Sequence, residues 1–313
     1  DFWLGQLAAL GRVNPRTYDE DETLRSLLDI VPFGIPDEPP VRTRPAIKGV
    51  VPGIGPEDKV ILWGGGIYNW FDPLTLLRAI DRLRPRHPEA RLFFLGLTHP
   101  NPDIPTMRMA VDARRLSDSL GLTGTHVFFN EGWVDYDDRQ NYLLDAHIGV
   151  STHLDHVEAA LSFRTRILDY LWASLPVVAT RGDSLAGVID QRGLGITVPP
   201  DDVDALVEAL STLLVDDGRR ASCSANAAAL VPELVWSRAL APLVEFCRNP
   251  RRAPDLTDRD MVAGMRHDLV AVPKRWRGLA YDVRTGLDHL RSGGPRLVLA
   301  KAAGRLRRLV GGG

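Results

Sequence analysis

Apolar and polar positions along the chain keep changing period. At the start, DFWLGQLAALGRV places Phe2, Leu4, Leu7, Leu10 and Val13 at helical spacing. DEDETLRSLLDI follows with an acidic start and an apolar face of Leu24, Leu27 and Leu28, and predicts a second helix. VPFGIPDEPPVRTRP then breaks all periodicity with prolines and Gly34, as a linker does. Beyond it, short continuous apolar runs alternate with amphipathic stretches. KVILWGGG (59–66), ARLFFLGL (90–97), THVFFNEGWV (125–134), HIGVST (147–152), LPVVAT and GLGITV read as strands. The segments between them read as helices, one opened by Asp72 as N-cap with Pro73 at the first helical position. Strict alternation with strands apolar on both faces predicts an α/β fold, a doubly wound, Rossmann-like parallel sheet. Such sheets bind ligands beyond the carboxyl ends of their strands, here the loops after Trp63, Leu97, Phe129, Val150 and Ala179.

The tail changes character again. VPKRWRGLAYDVRTGLDHLRSGGPRLVLAKAAGRLRRLV predicts two amphipathic basic helices split at Ser292–Pro295. Charge follows this division: residues 249–313 hold 14 Lys and Arg against 6 Asp, a net of +8, although the whole 313-residue chain carries only -2. A basic amphipathic tail suits an anionic membrane surface, or is simply a solvated extension. The overall charge gives no reason to expect nucleic acid. The two cysteines, Cys223 and Cys247, have no metal or redox spacing, so a reducing compartment, the cytoplasm, is expected. No signal peptide and no membrane-spanning run is visible, and the first residue is Asp1, so the chain is expected to have lost upstream sequence.

Four places carry candidate chemistry. Gly64, Gly65 and Gly66 allow close backbone approach to a phosphate or sugar, or make a tight turn. A dinucleotide fingerprint would need glycine at position 69, which is Asn69. The loop FNEGWV places a glycine and an aromatic beside a strand end, where they flank a base or only connect elements. His153, His156 and Glu158 form a polar set readable as metal ligands, as ligand contacts or as solvated loop. In SFRTRILDYLWASLPVV, Ser162 is a good N-cap and puts Arg164 and Arg166 in the first helical turn, where acidic residues are favoured. A diphosphate would satisfy the arginines and the helix amides together; a pair between Arg166 and Asp169 would satisfy only the surface. Asp169 is also placed to accept from ribose hydroxyls. No nucleophile elbow and no Walker A loop is present.

Taken in order, strand-GGG, FNEGWV, FRTRILDYLWASLPVVAT, Gly182-Asp183 and GLGITVPPDDVDALVEAL resemble the nucleotide-sugar-binding half of a GT-B glycosyltransferase of family 4, the group 1 type, in an actinobacterial-like branch. The resemblance covers about residues 30–245. It implies five parts: the end of an N-terminal acceptor domain (1–30), an interdomain linker (31–45) and a donor-binding domain (46–232), then a helix crossing back (233–248) and the basic tail (249–313). It implies that Asp169 stands where the family's ribose-binding Glu does. The family's other Glu would fall on Leu161, and Glu158 takes over its work on the donor sugar. The family's Gly-Arg and Lys of the first loop and helix are missing; Gly65, Gly66 and Trp70 lie near those places. On this resemblance Arg164 and Arg166 would supply the positive charge. Trp133 and Val134 would meet the base, and His153, Gly182 and Asp183 the donor's phosphate and sugar.

The same resemblance implies transfer of a glycosyl group, with retention, from a nucleotide-diphosphate sugar to a glycan or lipid-linked acceptor. No metal and no cofactor is implied. The basic tail would dock the enzyme at the inner membrane face. Two other readings share the diphosphate site: a GT-B nucleotide-sugar epimerase, which needs no acceptor, and a noncatalytic nucleotide-sugar-binding subunit, which Leu161 would suit.

Overall fold

The computed structural model describes residues 2–97, 101 and 103–257. The expected paired helices of the basic tail lie outside these residues. The chain divides into two compact units: Ile30–Asn249, and a second joining the residues before it to those from Pro250 onward.

In this second unit, helix α1 runs Phe2–Ala9 and α2 Pro15–Glu20. Asn14 starts α2: its side chain accepts from Thr17 N, and Pro15 supplies a backbone already turned for the helix. The helix expected over DEDETLRSLLDI does not form; residues 21–30 are turns. Asp21 explains this, because its carboxylate takes the amides of Thr23 (3.0 Å) and Ser26 (2.7 Å), giving the backbone a local alternative to helical bonding. Asp255, in a short 3₁₀ turn Pro254–Thr257, is buried and pairs with Arg12 at 2.5 Å.

The unit Ile30–Asn249 is a six-stranded parallel sheet with helices on both faces. Its strands are β1 Lys59–Trp63, β2 Ala90–Phe94, β3 Val127–Phe129, β4 Ile148–Ser151, β5 Val177–Thr180 and β6 Gly195–Val198, in the order β3-β2-β1-β4-β5-β6. The expected α/β class, the doubly wound sheet and all six strands are present; each strand is shorter than its apolar run, β1 to β4 because their last residues turn into the ligand-facing loops, β5 and β6 because they begin two residues late. Helices α3 Pro73–Leu83, α4 Arg108–Ser119, α5 Arg139–Asp145, α6 Val157–Leu161, α7 Thr165–Trp172, α8 Ala186–Arg192 and α9 Val203–Val215 alternate with the strands. They are followed by α10 Asp217–Leu234, α11 Trp236–Ala239 and α12 Ala241–Arg248. One apolar core packs the sheet against α3, α4 and α9, the other against α7, α8 and α10. The crossing helix expected over 233–248 is not continuous: it breaks at Leu240 into α11 and α12, with Pro242 in the first turn of the latter. Among the described residues no helix is long and apolar enough to cross a membrane.

Strand order reverses between β1 and β4. These strands pair at only two positions, Ile61 with Ile148 and Leu62 with Gly149. Beyond them the backbones splay, and the Tyr170 hydroxyl fills the gap. It accepts from Gly64 N (2.7 Å) and is directed at the carbonyls of Val150 (2.8 Å) and Leu62 (3.1 Å). This close approach needs glycine on both strands: a Cβ at Gly149 would sit 2.4 Å from the Tyr170 ring, and one at Gly64 2.9 Å. The crevice above this junction is where doubly wound sheets take ligands.

Candidate nucleotide-sugar site

Above the junction opens a pocket of about 240 Å³. One wall is the Gly64–Gly66 loop, a second is the loop after β3 with Trp133, Val134 and Tyr136, and a third is the start of α5 and α7 with Arg139, Arg166 and Asp169. The sequence candidates Gly64, Gly65, Gly66, Trp133, Val134, Arg166 and Asp169 therefore meet in one place. The glycines are not three free amides, however. Gly64 N–H is taken by Tyr170, and the Gly66 carbonyl accepts from Arg166 (2.9 Å). Gly65 has φ +98, a conformation favouring glycine.

The arginines do not start their helix as expected. Ser162 is not its N-cap: the Ser162 hydroxyl bonds one turn back to the Glu158 carbonyl (2.6 Å) and ends α6. Helix α7 begins at Thr165, with Arg164 at the cap position. The two arginines then part. Arg166 runs inward, its guanidinium over the rings of Phe71 (3.9 Å) and Trp63 (4.5 Å). It is buried, and burial pushes its pKa down to about 10. Its Nη1 has no hydrogen-bond partner. The alternative pair between Arg166 and Asp169 does not form: Asp169 accepts from Arg139 Nε at 3.0 Å. Burial raises the Asp169 pKa, with Arg139 opposing.

Arg164 turns the other way. Its Nη1 and Nη2 grip the two carboxylate oxygens of Glu158 at 2.9 and 2.8 Å. Burial works against the Glu158 charge, but the bonds from Arg164 and Ser162 outweigh it and hold its carboxyl below the usual range. Asp183 Oδ2 lies 4.0 Å from Arg164 Nε and 3.9 Å from His153 Nε2. All three atoms are buried and without hydrogen-bond partners. Asp183 Oδ1 accepts from the amides of Leu185 (2.9 Å) and Ala186 (2.8 Å), which opens α8, and Gly182 before it has φ +116. Glu158, Arg164, His153, Gly182 and Asp183 thus form a second polar cluster, on the loops after β4 and β5, and do not line the pocket itself. Among the described residues no group of three or more His, Cys, Asp and Glu side chains is arranged to hold a metal, so His153, His156 and Glu158 are not a ligand set.

Arg139 and Tyr136 are functional candidates that the motifs do not mark. Arg139 is buried between the rings of Tyr136 (3.4 Å to the centroid) and Trp172 (4.7 Å). Its signal was the same oddity that marks α7, a cation where a helix begins, but the acidic run DYDD before it looks like a solvated partner.

Fold and pocket together define a Rossmann-like sheet with a carboxylate and a buried cation at its switch point, and the sheet is that of GT-B glycosyltransferases. A family model described as Glycosyl transferases group 1 matches residues 58–216, and the chain belongs to this family. Two curated relatives are similar at 27% identity. An exopolysaccharide phosphotransferase of Streptomyces coelicolor matches over 193 residues, 58% of this chain and 18% of that protein. A phosphatidyl-myo-inositol mannosyltransferase of Mycolicibacterium smegmatis matches over 163 residues, 52% of this chain and 38% of that protein. Among solved structures, Anabaena HepE in complex with UDP superposes with a TM-score of 0.52 at 15% identity, over 62% of this chain and 49% of that one. Sucrose-phosphate synthase from Thermosynechococcus elongatus gives 0.51 at 17% identity, over 74% and 56%. The match thus spans well under half of either curated relative.

Proposed function

We propose that the pocket binds a nucleotide-diphosphate sugar and that the protein transfers its glycosyl group, with retention, to a glycan or lipid-linked acceptor. The observation that carries this reading is Arg166: a buried cation in the pocket wall with one guanidinium nitrogen unpartnered. A buried charge left unsatisfied is costly, and a diphosphate seated on it offsets that cost. As the glycosidic bond breaks, negative charge grows on the leaving diphosphate, and Arg166 with the loop amides is already in place to stabilise it. Asp169 accepts from the ribose, and the base lies along Trp133 and Val134. Glu158, fixed by Arg164, is the carboxylate offered to the donor sugar, with His153, Gly182 and Asp183 beside it. Family membership supports the reaction class, and the fold neighbour HepE is described in complex with UDP-glucose.

The reading is tested by calorimetry with UDP, GDP and ADP on the full chain and on Arg166→Met. Micromolar binding of one nucleotide, weakened at least tenfold in the variant, is expected. Binding of none by the wild type overturns the reading. Placement at the cytoplasmic membrane face through the basic tail is tested separately, on vesicles containing anionic lipid: salt-sensitive binding is expected, and no binding at low salt counts against it.

A further inference from the structure

Arg139 does more than neutralise a carboxylate. Its three nitrogens are used unequally: Nε donates to Asp169 Oδ1 (3.0 Å), Nη1 donates to the Tyr136 carbonyl (2.5 Å), and buried Nη2 donates to nothing. One residue therefore ties the loop that carries Trp133 and Tyr136 to the carboxylate on α7. Those are the two pocket walls on either side of where a nucleoside would lie. Its plane is clamped between Tyr136 and Trp172, so it has little freedom to swing away.

The manner of pairing matters. A bidentate fork using Nε and Nη2 would occupy both Asp169 oxygens. The observed contact takes Oδ1 through Nε alone, and Asp169, one-third exposed, has no hydrogen bond on Oδ2. Asp is also one methylene shorter than Glu. A short carboxylate aimed by a clamped arginine presents one oxygen in a fixed direction.

We propose that Arg139 is a positioning residue for ribose recognition: it fixes Asp169 so that Oδ2 faces the ribose hydroxyls, and selection of ribonucleotide over deoxyribonucleotide donors depends on it. This rests on the pocket being a nucleotide-sugar site. A charged acceptor aimed at a hydroxyl rejects the analogue lacking it by roughly 10- to 100-fold. Without Arg139 only the charge of Arg166 still opposes the burial of Asp169, so the carboxyl takes up a proton at higher pH, and the selective acceptor is weakened in mild acid.

The experiment is calorimetric titration of the full chain with UDP, GDP and ADP. The nucleotide that binds is then compared with its 2′-deoxy and 3′-deoxy forms, from pH 5 to pH 8. It is run on wild type, Arg139→Gln, Arg139→Lys and Asp169→Asn, with melting curves to show each is folded. Wild type should prefer the ribonucleotide roughly 10- to 100-fold across the range. Arg139→Gln should lose most of that preference at pH 5–6 and recover part of it at pH 8. Arg139→Lys, which keeps the charge without the fork, should fall between, and Asp169→Asn should show a small preference with no pH dependence. A folded Arg139→Gln whose preference is unchanged and flat with pH overturns the inference while leaving the nucleotide site standing. Wild type that binds no nucleoside diphosphate overturns the site reading and the inference with it.

Discussion

Replacing Arg166 by Met should make the protein more stable and less able to bind. The guanidinium is buried and its pKa is pushed down to about 10, which corresponds to roughly 3 kcal/mol of unfavourable burial at neutral pH. Against this stand one hydrogen bond, to the Gly66 carbonyl, worth about 1 kcal/mol, and the contacts over Phe71 and Trp63, worth about 1 kcal/mol together. Gly66 is not orphaned by the change, because its carbonyl also accepts from Trp63 Nε1 at 3.3 Å. Met is close in volume and fills the space between the rings. The balance is a gain of about 1 kcal/mol, in line with other buried charges replaced by apolar groups. Nucleoside diphosphate affinity should fall roughly 10- to 100-fold with the loss of a charge-assisted contact. Urea unfolding and calorimetry read the two effects on one preparation. If Arg166→Met were destabilised by about 2 kcal/mol and bound nucleotide unchanged, Arg166 would be a structural cation and the reasoning would fail.

Further outcomes follow from the same geometry. Tyr170→Phe keeps the ring but strips Gly64 N–H and the Val150 carbonyl of their buried partner, so it should cost about 2–4 kcal/mol in urea unfolding. Gly149→Ala puts a methyl 2.4 Å from that ring and should be at least as damaging, and Gly149→Ala with Tyr170→Leu should recover part of the loss. His147 is held neutral by burial, its pKa pushed down to about 4, while the unfolded chain protonates it below about pH 6.5. Its contribution is therefore full above about pH 6.5 and falls as pH drops towards 4. The loss, on the order of 1–2 kcal/mol for a half-buried ring, should vanish in His147→Asn when urea midpoints are compared across that range. Removing divalent ions with EDTA should leave nucleoside diphosphate affinity within about twofold in calorimetry, because Arg166 and the loop amides supply the positive field.

Much of the architecture was legible in the pattern of apolar runs. A strand buried on both faces has no choice but to be continuously apolar, so β1, β2, β4 and β5 announce themselves, and their alternation with helices leaves a parallel doubly wound sheet as the simplest topology. The rule that ligands sit at strand carboxyl ends then marks Gly64–Gly66, Trp133 and the start of α7 from their places in the chain alone. Local competition was less visible. The acidic start of DEDETLRSLLDI and Ser162 both looked like helix starts, yet Asp21 and Ser162 each commit a side chain to backbone groups in a way that stops a helix instead. Both outcomes depend on hydrogen bonds a few residues away, whose relative strengths composition does not reveal.

What the sequence determined, then, is the sheet, its layering and the end of it that carries chemistry, because hydrophobic period and turn chemistry are local. What only the tertiary structure decided is which charges meet. Arg164 and Arg166 are two residues apart, yet Arg164 sits at the non-helical cap position and Arg166 inside α7, so one grips Glu158 and the other lines the pocket. Asp169 finds Arg139, thirty residues earlier, rather than Arg166 one turn away. Gly64, just past β1, and Gly149 in β4 proved to be spaced for Tyr170 at the strand junction. Pairing among buried charges is settled by direction and distance across elements, and a one-dimensional spacing carries neither.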